Sequence, residues 1–315
     1  MYTRLQSGRM MQLIAIGVAF ATSVEAHEGR PHSWSELASA WSFEPVVVVS
    51  LLITAILFVA GLRRRTVRGH KLDRLEAWSF VGGWLALAIA LVSPLHAWGS
   101  VLFSAHMGQH EVLMLVAAPL LVLARPLVMF TWAVPLKWFR LITAPTKSSV
   151  FRKTWRFVTL PLVAFLLHAV ALWVWHFPSL FDAVQHSELV HSAQHMCFLF
   201  SALLFWWSLI RGQQGVMGYG SAVLYLFTTS LHSGLLGALL SLSDSVWYSS
   251  YVGLTKPWGL TPIEDQQLGG LIMWIPAGFV YLFAALLMFV GWMQTAELRA
   301  QKFMKTHDVL SEADS

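Results

Sequence analysis

The chain has little charge and almost no cysteine. Asp, Glu, Lys and Arg together make up 12% of its 315 residues, about half the usual share in a soluble domain. A soluble globule needs a polar surface, so this shortage excludes an ordinary one. Disorder is excluded too, because it requires low hydrophobicity and high charge. Cys197 is the single cysteine, which rules out an internal disulfide framework. No glycine loop has a phosphate-cradling pattern, and no nucleophile, base and orienting group stand together. An enzyme is therefore not expected. Internal repeats are absent, as is any polar stretch long enough for a soluble domain.

What is present is apolar. Hydrophobic residues make up 57% of the chain and the mean hydropathy is +0.61. A helix needs about 20 mostly apolar residues to cross the hydrocarbon core. Such windows occur at residues 45–62, 77–95, 106–124, 157–175, 191–210, 221–242 and 268–293. They do not alternate as strands of a membrane barrel would, and backbone amides in lipid must be satisfied internally. The expected fold is all-α: a polytopic membrane bundle of about seven transmembrane helices after an N-terminal signal-like segment. Segment 127–143 is interrupted by Pro135, Lys137 and Arg140 and reads as interfacial or re-entrant.

At the start, Arg4 and Arg9 precede a short apolar run, Met10–Ala21, and Val24-Glu25-Ala26 offers small residues where a signal peptidase reads. Residues 1–26 thus read as a signal peptide or signal anchor. Residues 27–44 form an outer His-containing segment, 45–295 the transmembrane domain and 296–315 a polar tail. Cleavage after Ala26 would make His27 the first residue, where amine and imidazole together would chelate copper.

The formal charge of +5 does not point to nucleic acid, because the cations lie between apolar runs and read as topology signals. Segments 63–74 and 125–156, Arg211 and the tail hold 17 of the 21 Lys and Arg residues, against Arg30 and Lys256 on the other side. That bias puts the N-terminal segment outside and makes the C-terminus cytoplasmic.

In this topology 11 of the 13 histidines fall in the outer half, leaving only His70 and His307 on the cytoplasmic side. His106 and His110 are four apart at the outer start of the third span, and His191 and His195 repeat that spacing on the fifth. Residues at i and i+4 share a helical face. Met114 extends the His106/His110 stripe, and Met107 and Glu111 form a neighbouring one. Imidazole with thioether suits copper, above all the reduced ion; the alternative is histidine acting as polar glue between helices. His168 and His176 lie two turns apart on a similar face of the fourth span, and His232 sits in the sixth. Polar groups at that depth usually face the bundle interior, so these are candidate ligands or proton carriers. Glu111 is the one acidic residue well inside a span and needs a partner. Cys197 lies about 200° round the helix from His195 and reads as a core residue.

His106-Met107-Gly108-Gln109-His110, running on to Ala118-Pro119-Leu120-Leu121 and Arg125-Pro126, and Glu264-Asp265-Gln266-Gln267-Leu268-Gly269-Gly270 opening the last span, resemble the polytopic CtaG family of cytochrome c oxidase assembly factors. The similarity covers roughly residues 40–295. It implies a non-catalytic role in maturing aa- and caa-type oxidases at their copper centres. Oxidase subunits, and a copper chaperone, are then the expected partners. Carried over, His106 and His110 are candidate copper ligands beside Met107 and Gln109, and Asp265 starts the last-span motif at the outer surface. Two other readings fit the histidines: a copper or proton transporter, and a membrane haem protein with His pairs opposed across two helices.

Overall fold

The computed structural model describes residues 31, 33–71, 73–135, 137, 138, 140, 143–211 and 217–313. The signal-like segment, His27 and His32 lie outside them. Among the described residues the chain is helical with no strand. The helices are α1 (Trp34–Ser39), α2 (Pro45–Val67), α3 (Arg74–Val92), α4 (Pro94–Gly99), α5 (Phe103–Ala124) and α6 (Pro126–Ala133). They continue with α7 (Ser149–Val158), α8 (Pro161–Trp175), α9 (Pro178–His186), α10 (Glu188–Ile210), α11 (Tyr219–Ser241) and α12 (Pro262–Ala313).

Six of these (α2, α3, α5, α10, α11 and α12) are long and apolar enough to cross a bilayer. The chain is a multi-pass membrane protein with an all-α bundle architecture. The window at 157–175 is not one straight rod. Thr159 and Leu160 interrupt it ahead of Pro161, which lacks a backbone donor and starts a new helix. The two arms, α7 and α8, meet at a 70° bend and make a seventh crossing only if they count as one span. α6 is eight residues long, far short of the hydrocarbon thickness. It folds back against α2, where Gly61 lets the helices touch: a Cβ there would lie 1.9 Å from the Met129 carbonyl oxygen.

The core gathers Phe198, Phe205, Trp206 and Ala202 of α10, Leu226 and Leu240 of α11, Met273 and Tyr281 of α12, and Met107, Met114 and Val122 of α5. α11 and α12 make the most extensive pairing, through facing glycines. A Cβ on Gly270 would sit 2.6 Å from the Gly237 carbonyl oxygen and 2.8 Å from Ser241 N. Small residues permit this backbone approach in lipid, where no hydrophobic force drives helices together. Cys197 proves to be exposed rather than buried. The same 200° offset that removes it from the His191/His195 face turns it outward, because that histidine face is the one packed into the bundle.

The two ends of α5 differ in chemistry. Its last residue precedes Arg125, which takes a left-handed conformation (φ 50°, ψ 48°). There Glu76 of α3 receives Arg125 and Arg65, each at 3.4 Å, while Arg211 Nη2 donates to the Leu123 carbonyl at 3.1 Å. The opposite end carries the histidines and is roofed by α1, α4, α9 and the loop 243–261. In that roof Trp34 meets Trp98 and Trp258 edge-on, and Asp182 accepts from the hydroxyls of Ser249 and Ser250.

Because Gly270 meets backbone and not a yielding side chain, Gly270→Val is expected to destabilise the bundle by about 1–3 kcal/mol or more, read as a lower melting temperature in detergent. Gly278→Ala, where nothing lies within 4 Å of the added Cβ, is expected to leave that temperature in place.

Candidate metal centre

The site begins with a helix that cannot cap itself. Leu102 precedes α5 and offers no side-chain acceptor, leaving the first amides of the helix without partners. Asp265, on the first turn of α12, supplies the acceptor: its Oδ2 receives Phe103 N–H at 2.6 Å and its Oδ1 receives Ser104 N–H at 3.1 Å and the Ser104 hydroxyl. A carboxylate at a helix N-terminus is favoured by both hydrogen bonding and the macrodipole. This clasp sets the rotation of α5, and with it the direction of His106 and His110.

The structure brings His106, His110, His191 and His195 together. Ring centroids are 4.4 Å apart for His106 and His110, 4.3 Å for His191 and His195, 5.2 Å for His106 and His191, and 5.4 Å for His110 and His195. All four side chains are buried. One ligand atom from each of His106, His191 and His195 lies within 4.8 Å of the other two. Bonds of about 2.0–2.1 Å to nitrogen would need N···N separations of about 3.3–3.6 Å, so the trio fits a metal ion after small inward turns of the rings.

Surrounding amides fix these rings. His106 Nε2 lies 3.0 Å from Gln194 Oε1. That oxygen only accepts, so Nε2 carries the hydrogen and Nδ1 the lone pair of the neutral ring. An outer hydrogen bond that selects the tautomer in this way is the usual support for a ligating histidine. His195 Nε2 and both nitrogens of His110 make no hydrogen bond among the described residues. A buried polar atom without a partner costs about 1–3 kcal/mol, and a cation accepting the nitrogen lone pair would remove that cost.

Two nearby groups, His96 and Gln194, were not assigned to the site by sequence. His96 of α4 stacks on His191, with centroids 5.2 Å apart and planes 8° apart. It receives Gln109 Nε2 at its Nδ1 (3.1 Å), and its Nε2 is 4.0 Å from Glu44 Oε1. Gln109 also donates to the Ala90 carbonyl at 2.7 Å, which ties α5 to the end of α3. Gln194 supports His106 as described. Gln194 shares a helix with His191 and His195 and was open to a spacing argument. His96 follows Pro94 on a separate short helix, where no spacing rule reaches it.

The other nominated residues scatter. Met107 turns to His176, its Sδ 3.4 Å from His176 Nε2. His176 closes α8 one residue past the span, its Nδ1 bonded to the Leu172 carbonyl at 2.7 Å. Burial pushes this ring down to about 4, although the Leu172 bond opposes the shift. His168, two turns deeper, bonds Ser201 Oγ at 3.0 Å and faces Phe205; it lies outside the His106, His191 and His195 group. Met114 packs in the apolar core, where its carbonyl accepts from Trp206 Nε1. Glu111 is buried, with no hydrogen bond at Oε2 among the described residues, and lies outside the His106, His191 and His195 group. His232 faces Phe165.

Comparison with known proteins bears on the family. The profile of the family described as cytochrome c oxidase caa3 assembly factor (Caa3_CtaG) matches residues 56–295. Uncharacterized proteins of Mycobacterium bovis and Mycobacterium tuberculosis are each 28% identical over 259 residues, covering 78% of this chain and 38% of theirs. One from Mycobacterium leprae is 26% identical over 251 residues, covering 75% of this chain and 37% of its own. The chain thus spans under two fifths of the length of these curated relatives. No solved structure matches.

Asp265→Ala leaves the two buried amides of α5 without acceptors, and is expected to lower stability by about 1–3 kcal/mol in thermal unfolding of the purified protein. Asp265→Asn, which keeps one acceptor oxygen, is expected to lose less. Equal losses for the two would remove the capping role.

Proposed function

From the premise that this chain belongs to the cytochrome c oxidase caa3 assembly factor family, we propose that it assists maturation of an oxidase copper centre by holding copper at the buried histidine cluster. The observation that carries this reading is the convergence of His106, His191 and His195 from two helices, with ligand atoms within 4.8 Å of one another. Imidazole nitrogen suits copper, and neutral imidazole is the form that binds a metal. His106, His191 and His195 would together form a trigonal set.

The role is binding and delivery without turnover. Oxidase subunits are the partners, with a copper chaperone as the source of the ion. The outer face of the bacterial inner membrane is the proposed place. The cation-rich end of the bundle, around Arg65, Arg125 and Arg211, is remote from the histidines, and cation-rich ends favour the cytoplasm. The histidine end would then face outward and the C-terminus inward.

The test is a deletion strain in which oxidase polypeptide and oxidase copper are measured separately. The expected outcome is normal polypeptide with depleted copper, restored by the intact gene but not by the His106→Ala/His195→Ala variant expressed at the same level. Full copper loading in the deletion strain would refute the reading.

A further inference from the structure

Next to the triad, two electron-pair donors face each other with no proton between them. A carbonyl oxygen only accepts, so the 2.7 Å contact of His176 Nδ1 with Leu172 O places the ring hydrogen on Nδ1. In the neutral ring Nε2 therefore bears a lone pair, and it points at Met107 Sδ 3.4 Å away. A thioether has no hydrogen to donate. Turning the ring over would set a lone pair against the Leu172 carbonyl instead. Protonating the ring would bury a cation between Phe181 and Phe198, whose centroids lie 6.1 and 5.8 Å from it, and an isolated buried charge is far more costly than a neutral group.

We propose that Met107 Sδ and His176 Nε2 form a second soft-metal station, separate from the histidine triad, which takes copper(I) with His110 as its third ligand. The proposal rests on the copper reading of the triad. A soft thioether paired with imidazole selects copper(I) over harder ions. Metal bonds of about 2.0 Å to nitrogen and about 2.3 Å to sulfur, meeting at about 105°, subtend the N···S distance already present.

His110 links the two stations. Its nitrogens make no hydrogen bond among the described residues. Its ring lies 4.4 Å from His106, 5.4 Å from His195 and 6.4 Å from His176. His106 and Met107 are consecutive on α5, so they point about 100° apart and serve different stations from one helical turn. Passage between the stations exchanges ligands on copper(I) and moves no electron.

The experiment titrates the purified full chain with copper(I) against a chromophoric chelator, then records X-ray absorption at the copper edge. Two copper ions per chain and a sulfur neighbour are expected. Met107→Leu, a near-isosteric change tolerated by cores, is expected to lose one copper and the sulfur neighbour while keeping the nitrogen shell. His106→Ala/His195→Ala is expected to keep one copper and the sulfur. Selenomethionine-labelled wild type gives the same reading without substitution, as a copper neighbour at the selenium edge. One copper with nitrogen neighbours only, or a Met107→Leu protein indistinguishable from wild type, overturns the second station and leaves the triad standing. A wild-type chain that binds no copper overturns both.

Discussion

Within hydrocarbon a polar side chain has no water to satisfy it, and this constraint orders the molecule. His168 answers it with Ser201, His176 with the Leu172 carbonyl, and His106 with Gln194. Those partners lie on other helices or one turn back on the same one. Each therefore fixes a rotation or a depth as well as satisfying an atom. The Asp265 carboxylate does the same for backbone, holding the first turn of α5 from a helix 161 positions further on. The constraint is left unmet at several places, among them His232, Arg211 Nε and Glu111 Oε2, but the histidine end holds a group of such atoms close together, with both nitrogens of His110 and His195 Nε2. Cost concentrated in this way marks a ligand site.

Much of this was legible in the sequence. Apolar windows of span length located the helices because lipid permits few alternatives to a helix, and repeated i, i+4 histidine spacing on two spans foresaw the meeting of His106, His110, His191 and His195. The misses have separate physical causes. Spacing along a helix says which residues share a face, but not which neighbour that face meets. His168 and His176 lie on similar sides of α8, yet α10 receives the first and α5 the second. Cys197 was read as a core residue on the face about 200° from His195, although the packing of the histidine face into the bundle turns that side outward. His96 was invisible as a site residue, because its helix is six residues long and its stacking on His191 is purely tertiary. The kink at Thr159 and Leu160 was announced by Pro161, whose effect an apolar window cannot register.

The two ends of the bundle use opposite strategies for polar atoms. At one end Glu76 lies between two guanidinium groups at 3.4 Å, charge answering charge at partly exposed positions, where such pairs contribute modestly. They also hold Arg125 in a left-handed turn that an L residue adopts at some cost. At the other end neutral rings are stacked under a roof of tryptophan, tyrosine and phenylalanine, and exclusion of water raises the worth of every remaining electrostatic contact. α5 joins the two regimes, and its orientation is held at both ends, by Asp265 at one and by the Glu76 cluster beside Arg125 at the other.

Between these anchors α5 does not run as a uniform helix. Residues Val112–Ala117 widen into a π turn, a form that arises when a helix accommodates an extra residue and is frequent beside functional sites. The wide turn works as a phase adjuster. Each α-helical residue advances the side-chain direction by about 100°, so shortening this stretch by one residue would leave its two halves out of step by about that angle. Either the imidazoles would swing out of their cluster or Arg125 would leave Glu76. The distance between the two anchors is thus set by the bilayer, but their relative bearing is set by six apolar side chains that touch neither.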